Sequence, residues 1–393
     1  MKYLNFFFHI YQPPIQDEEV IQRIAKECYL PLTRQILAFK ELKFTLNINF
    51  SLIEHLERVA PEVLDNIHKA HKNGHLELTE SGAYHPIFPL VPEEEVKRQL
   101  KLNHEGTQAK LIKNFNPKGV FPPEMAFEPR LTPLFKELGY QWTITDDFSL
   151  DHYGIEIPYN KIYTSDGVAV FLRSNFWSNK FARHDQWTWA SPQDFVDAFT
   201  QNLHTWMGNE DGYLVIALDG ETFGHHIKEF DEPFLQALFQ AFADSQQLQL
   251  AHLEDIYKQF KHVPEFVPPS SWSMDEISLK NRDYFTLWNS PGNKIHELQW
   301  RFTYYVLDKV RKLNNPEINA ELDKALYSCQ YWWASFWKFS PKLIYNGAFE
   351  MMRILQHVAE LLGDNYEVIE RGEILFQALI TEVEKRRLEN SHG

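Results

Sequence analysis

A chain of 393 residues is long enough for one large core plus a second module, since domains typically hold about 100–200 residues, so a single small binding module is excluded. With 54 acidic and 39 basic residues the formal net charge is -15, and there is no Lys/Arg block, which argues against nucleic acid or an anionic membrane as partner. Aromatic residues make up 15% of the chain, and its 11 Trp fall into two groups, Trp142 to Trp206 and Trp272 to Trp337. Such rings pack helices together or, beside an acidic cleft, serve as platforms for neutral polyhydroxylated ligands such as sugars.

The opening MKYLNFFFHIYQPP has an apolar run too short for a signal peptide, and no stretch approaches the length of a membrane span, so a soluble cytoplasmic enzyme is expected. Cys28 and Cys329 are too few and too distant for a disulfide framework or a Cys-rich zinc site. Short apolar runs then alternate with segments of helical period, the cadence of a parallel α/β fold. Strands are predicted at Leu4–Phe8, Phe44–Ile48, Leu76–Leu78, Gly119–Phe121, Trp142–Thr145, Val168–Leu172 and Tyr213–Leu218, with a weaker eighth at Leu248–Leu250. Between them, Ser51 with Glu54 reads as a capping box, Gly74 as a helix stop, and Ser191–Pro192 as a helix start. Pro31 and Pro61 should kink or divide their segments. After the proline-rich stretch near residue 265 the pattern is helical throughout, with helices predicted at Lys294–Leu313, Pro316–Trp337, Gly347–Leu362 and Val368–Leu388. The expected domains are therefore 1–265, a barrel, and 266–393, a helical module.

In a parallel barrel, functional groups collect where strands end and βα loops begin. The predicted strand exits carry His9, Asn49, Glu80, Glu124, Asp146 with Asp147, Arg173 and Asp219. Any one of these residues is explained as a helix cap or loop carboxylate, but a ring of them on one rim suggests a functional mouth. Two stand out: Glu124 follows a short strand and two prolines that stiffen its backbone, and Asp219 ends a long apolar strand and precedes Gly220. Two carboxyl groups on one rim suit glycoside cleavage, in which one attacks or stabilises the sugar cation and the other protonates the leaving oxygen. The adjacent His225 and His226 do not have metal-ligand spacing, so neither a metal nor another cofactor is expected.

Five segments, in order, resemble the motifs of glycoside hydrolase family 57: HIYQP, GHLELTESGAYHP, FPPEMAFEP, LDGETFG and SCQYWWAS. The resemblance implies an incomplete seven-stranded (β/α) barrel followed by a helical domain that completes the active site. It also implies a retaining enzyme acting on α-glucans or related oligosaccharides, of the α-amylase or 4-α-glucanotransferase type, with α-galactosidase activity as a variant. By motif position the nucleophile falls on Glu124 and the acid/base on Asp219, while His9, Gln12 and Glu77 become substrate contacts. The chain departs from the family pattern at Tyr11, where a second His is usual, and at Cys329 and Gln330, before the aromatic pair.

His85, Asp147, Glu221, Trp272, Trp332 and Trp333 complete the expected substrate site. Glu221 should orient the acid or bind a hydroxyl, Trp272 should form a platform, and one of Trp332 and Trp333 should meet the cleft while the other packs in the core. Two other classes remain open at this point. One is a metal-dependent carbohydrate deacetylase built on Asp146 and Asp147, and the other is a non-catalytic sugar-binding relative.

Overall fold

The computed structural model describes residues 1–182, 190–363 and 366–391; Trp187 and Trp189 of the first tryptophan group lie outside them. The chain divides into two compact units, one of Met1–Ala83 and Pro92–Trp272, the other of Tyr84–Val91 and Ser273–Gly393.

The first unit is built on a 10-stranded sheet. Its strands are β1 (Lys2–Ile10), β2 (Phe44–Ile48), β3 (Leu76–Leu78), β4 (Gly119–Val120), β5 (Trp142–Asp146), β6 (Lys161–Ser165), β7 (Val168–Arg173), β8 (Gly212–Asp219), β9 (Leu248–Leu250) and β10 (Lys261–Pro264). The seven predicted strands are β1 to β5, β7 and β8, and they pair in parallel around a circuit: β1 with β2, β2 with β3, β4 with β5, β5 with β7, β7 with β8, and β8 with β1. Between β3 and β4 the circuit closes through Glu80, whose N–H donates to Gly119 O (2.9 Å) and whose carbonyl accepts from Phe121 N (2.8 Å). The seam between β7 and β8 is thin, with one register pair, Arg173 with Val215.

The weaker eighth run forms β9, which pairs with the first residues of β1. Two strands were not foreseen. β6 pairs antiparallel with β7 around Asp166 and Gly167, both at positive φ (50° and 87°), a turn that an Asp–Gly pair adopts easily. β10 then adds in parallel to β6.

Alternation along the strands sorts the core into two layers. Leu4, Phe6, Phe8 and Ile10 of β1 and Leu214, Ile216 and Leu218 of β8 share one cluster with residues of the surrounding helices. The intervening Phe7, Val215 and Ala217 join Phe121, Trp142, Ile144, Ala169 and Phe171 in the barrel interior. The same parity carries His9, Asp146, Arg173 and Asp219, at the C-terminal ends of four strands, onto the interior face.

The helix boundaries follow local chemistry. Gly74 stands at φ 78° just past the Pro61–Lys72 helix, and Pro61 separates that helix from Phe50–Val59, as expected. Ser191 caps Pro192–Met207 by accepting from Asp194 N. The Ser51–Glu54 capping box does not form: Asn49 occupies the N-cap position, and Ser51 Oγ instead donates to Gln12 O at 2.7 Å, tying the helix to the loop after β1. Nor does Pro31 break its segment. The preceding turn, Ala25–Tyr29, widens to a π-helix in which Leu30 N bonds Ala25 O, which accommodates a residue without an N–H.

In the second unit the helices Lys294–Leu313, Pro316–Ala325, Pro341–Leu361 and Tyr366–Ser391 enclose an apolar cluster that includes Phe302, Val306, Leu322, Ile344, Leu355 and Leu379. The predicted Pro316–Trp337 helix stops at Ala325, where Gln330 Nε2 donates to the carbonyls of Ala325 (2.5 Å) and Tyr327 (3.2 Å) and satisfies groups that another helical turn would have used. The next long helix begins at Pro341 rather than Gly347, with the proline in its first turn, where a missing N–H costs nothing.

Gly119 of β4 pairs in register with Trp142, and a Cβ added to it would lie 2.1 Å from the indole. Gly119→Ala is therefore expected to destabilise the protein by about 1–3 kcal/mol in urea unfolding, through overpacking; an unchanged midpoint would show that the indole moves aside.

Candidate active site

Glu124 stands on a tight turn, Pro123–Met125, immediately after β4, where Glu124 and Met125 both take positive φ (61° and 51°). A bulky residue adopts that conformation only when its surroundings impose it. Here the imposed contacts are visible: Trp272 Nε1 donates to Glu124 Oε2 at 2.8 Å, Trp272 N donates to Glu124 O at 3.4 Å, and Phe127 bridges to Ser270. Trp272 thus enters the site as a hydrogen-bond donor, and its ring also stands edge-on to His9 (5.7 Å) and Phe121 (5.8 Å).

Asp219 closes β8 in register with His9. Gly220 behind it is required for space rather than for φ, since a Cβ would lie 2.5 Å from Ile10 Cγ2. His9 stacks on Phe121 (4.7 Å between centroids). Asn47 Nδ2 donates to Thr79 Oγ1 (3.0 Å), so Asn47 Oδ1 is left to accept from His9 Nδ1 (2.7 Å). That bond fixes the imidazole's orientation and tautomer. Burial holds the ring neutral, pushing its pKa down to about 4.

Around this centre lie two further groups. Arg173 pairs with Asp146 (2.5 Å) and donates through Nε to Ala217 O (2.9 Å) and through Nη2 to Asn179 Oδ1 (2.9 Å). Glu221, two residues beyond Asp219, accepts from the Tyr29 hydroxyl, from Gln12 Nε2 (3.2 Å) and from Tyr11 N (3.4 Å). Gln12 and Glu221 are thus brought together in one network.

Burial dominates the electrostatics. It pushes Glu124 up to about 8, assisted by the Asp219 charge and opposed by the Trp272 hydrogen bond. It pushes Asp219 up to about 6 against the opposing Arg173 charge, and Glu221 up to about 7 with the Asp219 charge adding to the effect. Several carboxyl groups crowded in a low-dielectric mouth cannot all ionise near neutrality, the usual condition of acid/base chemistry.

The sequence pattern of glycosyl hydrolase family 57 matches residues 6–268, which hold Glu124, Asp219 and the other residues of this constellation except Ser270 and Trp272. The chain belongs to glycosyl hydrolase family 57. It is 24% identical over 368 residues to an α-amylase of Pyrococcus furiosus, covering 85% of this chain and 55% of that protein. Its fold matches the crystal structure of a 4-α-glucanotransferase from Thermococcus litoralis with a TM-score of 0.72 at 18% identity, over 90% of this chain and 60% of the other. It also matches a family 57 branching enzyme from Pyrococcus horikoshii, with a TM-score of 0.73 at 14% identity over 96% of both chains. The chain spans about half the length of the curated relatives it matches.

Other residues singled out in the sequence have partners of their own. Glu77 faces inward but midway along β3, level with Thr45. Its carboxyl accepts from Thr45 Oγ1 (2.8 Å), Leu253 N (2.8 Å) and Glu254 N (3.0 Å), capping the Leu253–Gln259 helix. Asp147 is buried beyond β5 and accepts from Asn175 N (2.9 Å) at the start of the Asn175–Ala182 helix. Glu80 turns outward to Asn103 (2.6 Å) and His104 (3.0 Å).

His85, Trp332 and Trp333 belong to the second unit. His85, at φ 62°, bonds Ser328 Oγ through Nδ1 (2.9 Å); the Lys338 ammonium lies 4.7 Å from the Trp332 ring; Trp333 packs against the helical core and Tyr327. Two residues of the barrel site were not foreseen. Asn47 was detectable as a polar residue within an apolar strand, whereas Tyr29 sits in a run that reads as ordinary helix core.

A carboxyl group whose pKa is raised on folding stabilises the fold below its unfolded value, and that contribution is lost as pH rises through the folded value. For Glu124 the window runs from about 4 up to about 8. Glu124→Gln, which cannot ionise, is expected to match wild type in stability near the bottom of that window and to exceed it by up to about 5 kcal/mol at the top, less to the extent that water reaches the carboxyl, measured by urea unfolding across pH. Equal stability at both ends would contradict the raised value of this carboxyl.

Proposed function

We propose that the chain is a retaining, α-glucan-active glycosidase or glucan transferase in which Glu124 is the nucleophile and Asp219 the general acid/base. The observation that carries this reading is the placement of these two half-buried carboxyl groups, one on the turn after β4 and one at the end of β8, close enough that the Asp219 charge raises the Glu124 value. In the first step Glu124 attacks the anomeric carbon while Asp219 gives its proton to the departing glucosidic oxygen. In the second, Asp219 takes a proton from water or an acceptor hydroxyl, which displaces Glu124 with net retention. The α-amylase and 4-α-glucanotransferase relatives support α-glucan as the substrate class.

The raised values mean that between about 6 and 8 the pair holds one proton, which favours Glu124 in the empty site. The chemistry needs it on Asp219. Substrate supplies the bias: a glucosidic oxygen accepting from Asp219 stabilises the protonated acid, and positive charge developing at the anomeric carbon stabilises ionised Glu124. His9 and Asn47, in a fixed tautomer and orientation, are suited to hold a sugar hydroxyl beside the pair. The Asp146–Arg173 ion pair disfavours the deacetylase alternative, which needs Asp146 for a metal.

With maltooligosaccharides, kcat/KM is expected to be bell-shaped, falling below about 6 as both carboxyls protonate and above about 8 as both ionise. Asp219→Asn should lower kcat by about 10²–10⁴-fold, Glu124→Gln by at least as much, and the first-formed sugar should be the α-anomer by proton NMR. A β-anomer as first product would overturn the retaining mechanism. Full activity in both variants would overturn the assignment of the pair.

A further inference from the structure

Arg173 occupies a junction that the reaction scheme above does not use. It is buried at the end of β7, in register with Asp146 on one side and Val215 on the other, and it supplies the register pair that joins β7 to β8. Nε holds Ala217 O, two residues before Asp219 on β8, while Nη1 and Nη2 hold Asp146 and Asn179. Each guanidinium nitrogen has an acceptor, so the planar fork is locked in place. Its Cζ also lies 5.9 Å from the ring centroid of Trp272, the residue whose indole N–H holds Glu124. One side chain therefore touches the supports of both members of the carboxyl pair.

We propose that Arg173 is a positioning residue for that pair: it pins the strand that presents Asp219, places a cation facing that carboxylate, and braces the indole that orients Glu124. Its charge is partly neutralised by Asp146, so the two residues form a graded source of positive potential at the mouth. Among the described residues, the other titratable groups near Asp219 are Glu124 from the turn after β4, Glu221 on its own loop, Cys28 from the π-helical turn and His9 in register on β1. Burial keeps His9 and Cys28 neutral, and Glu124 and Glu221 are acidic, which leaves Arg173 as the cation among these neighbours.

The test uses the full chain with isotope-labelled aspartate side-chain carboxyls, the Asp219 NMR signal being assigned by its loss in Asp219→Asn. Arg173→Met removes the cation and should raise the Asp219 titration midpoint by about one unit or more. Asp146→Asn, which unmasks the cation, should lower it, and Arg173→Lys, which keeps the charge but not the fork, should leave it near wild type while lowering kcat. Opposite shifts in Arg173→Met and Asp146→Asn cannot come from a general loosening of the fold; should Arg173→Met fail to fold, the Asp146→Asn and Arg173→Lys titrations decide alone.

Midpoints that stay put, or that move the same way in both variants, overturn the proposal. In its kinetic arm, which rests on the glycosidase reading, the limbs of the kcat/KM profile should follow the midpoints. Opposite midpoint shifts in a chain that turns over no α-glucan would sustain the role of Arg173 and defeat the glycosidase reading. Turnover with unmoved midpoints would do the reverse.

Discussion

Two carboxyl groups that share an apolar enclosure cannot both be charged cheaply, and much of the barrel is arranged around that constraint. Withdrawn from water, each is pushed toward its neutral form, and the charge of one raises the value of the other. What keeps the site from being two inert acids is a small set of opposing groups. The Trp272 indole donates to Glu124, the Arg173 charge lowers the Asp219 value, and Tyr29 with Gln12 donates to Glu221. The resulting values, about 8, 6 and 7, lie where proton transfer near neutral pH is effective. Their placement above the ordinary carboxylate range is also a standing cost to stability, of the kind expected where function outranks packing.

The groups reach these positions by the simplest rule of strand geometry. Alternating side chains put one apolar set of β1 and β8 against the helices and the other into the barrel, and the last inward positions of four strands are His9, Asp146, Arg173 and Asp219. Polar rungs then cross between neighbouring strands, Asn5 to Thr45 to Glu77 lower down and His9 to Asn47 to Thr79 nearer the mouth. These rungs satisfy buried polar groups and set side-chain orientation at the same time. Glu77 shows the distinction that depth makes: on the same inward face as the site, but midway along its strand, its carboxyl is committed to the N-terminus of a helix.

Much of this was legible in the sequence. The unbroken apolar run in GYLVIALDG is enough to name a strand buried on both faces and the carboxylate at its exit, and the two prolines before Glu124 foretold a fixed backbone. Glu80 was misread as a rim residue although it shares parity with Leu76 and Leu78; the strand hydrogen bonding continues past β3 far enough to turn it toward Asn103 and His104. Other features depend on partners far away in sequence. No local pattern says that Glu77 caps a helix starting at Leu253, that Tyr29 reaches Glu221, or that Trp272 donates to Glu124. Gln330, a departure from the family pattern, ends a helix by side-chain bonds that a reading of helical period cannot detect.

The central claim is the division of labour between Glu124 and Asp219, and covalent trapping tests it directly. An activated fluorosugar of α-glucosyl configuration, slow to hydrolyse once transferred, should leave one glycosyl group on the protein. Peptide mass spectrometry should find it on the segment containing Glu124, with labelling lost in Glu124→Gln and retained in Asp219→Asn. A glycosyl group found on Asp219 instead would reverse the roles of the pair and contradict the account.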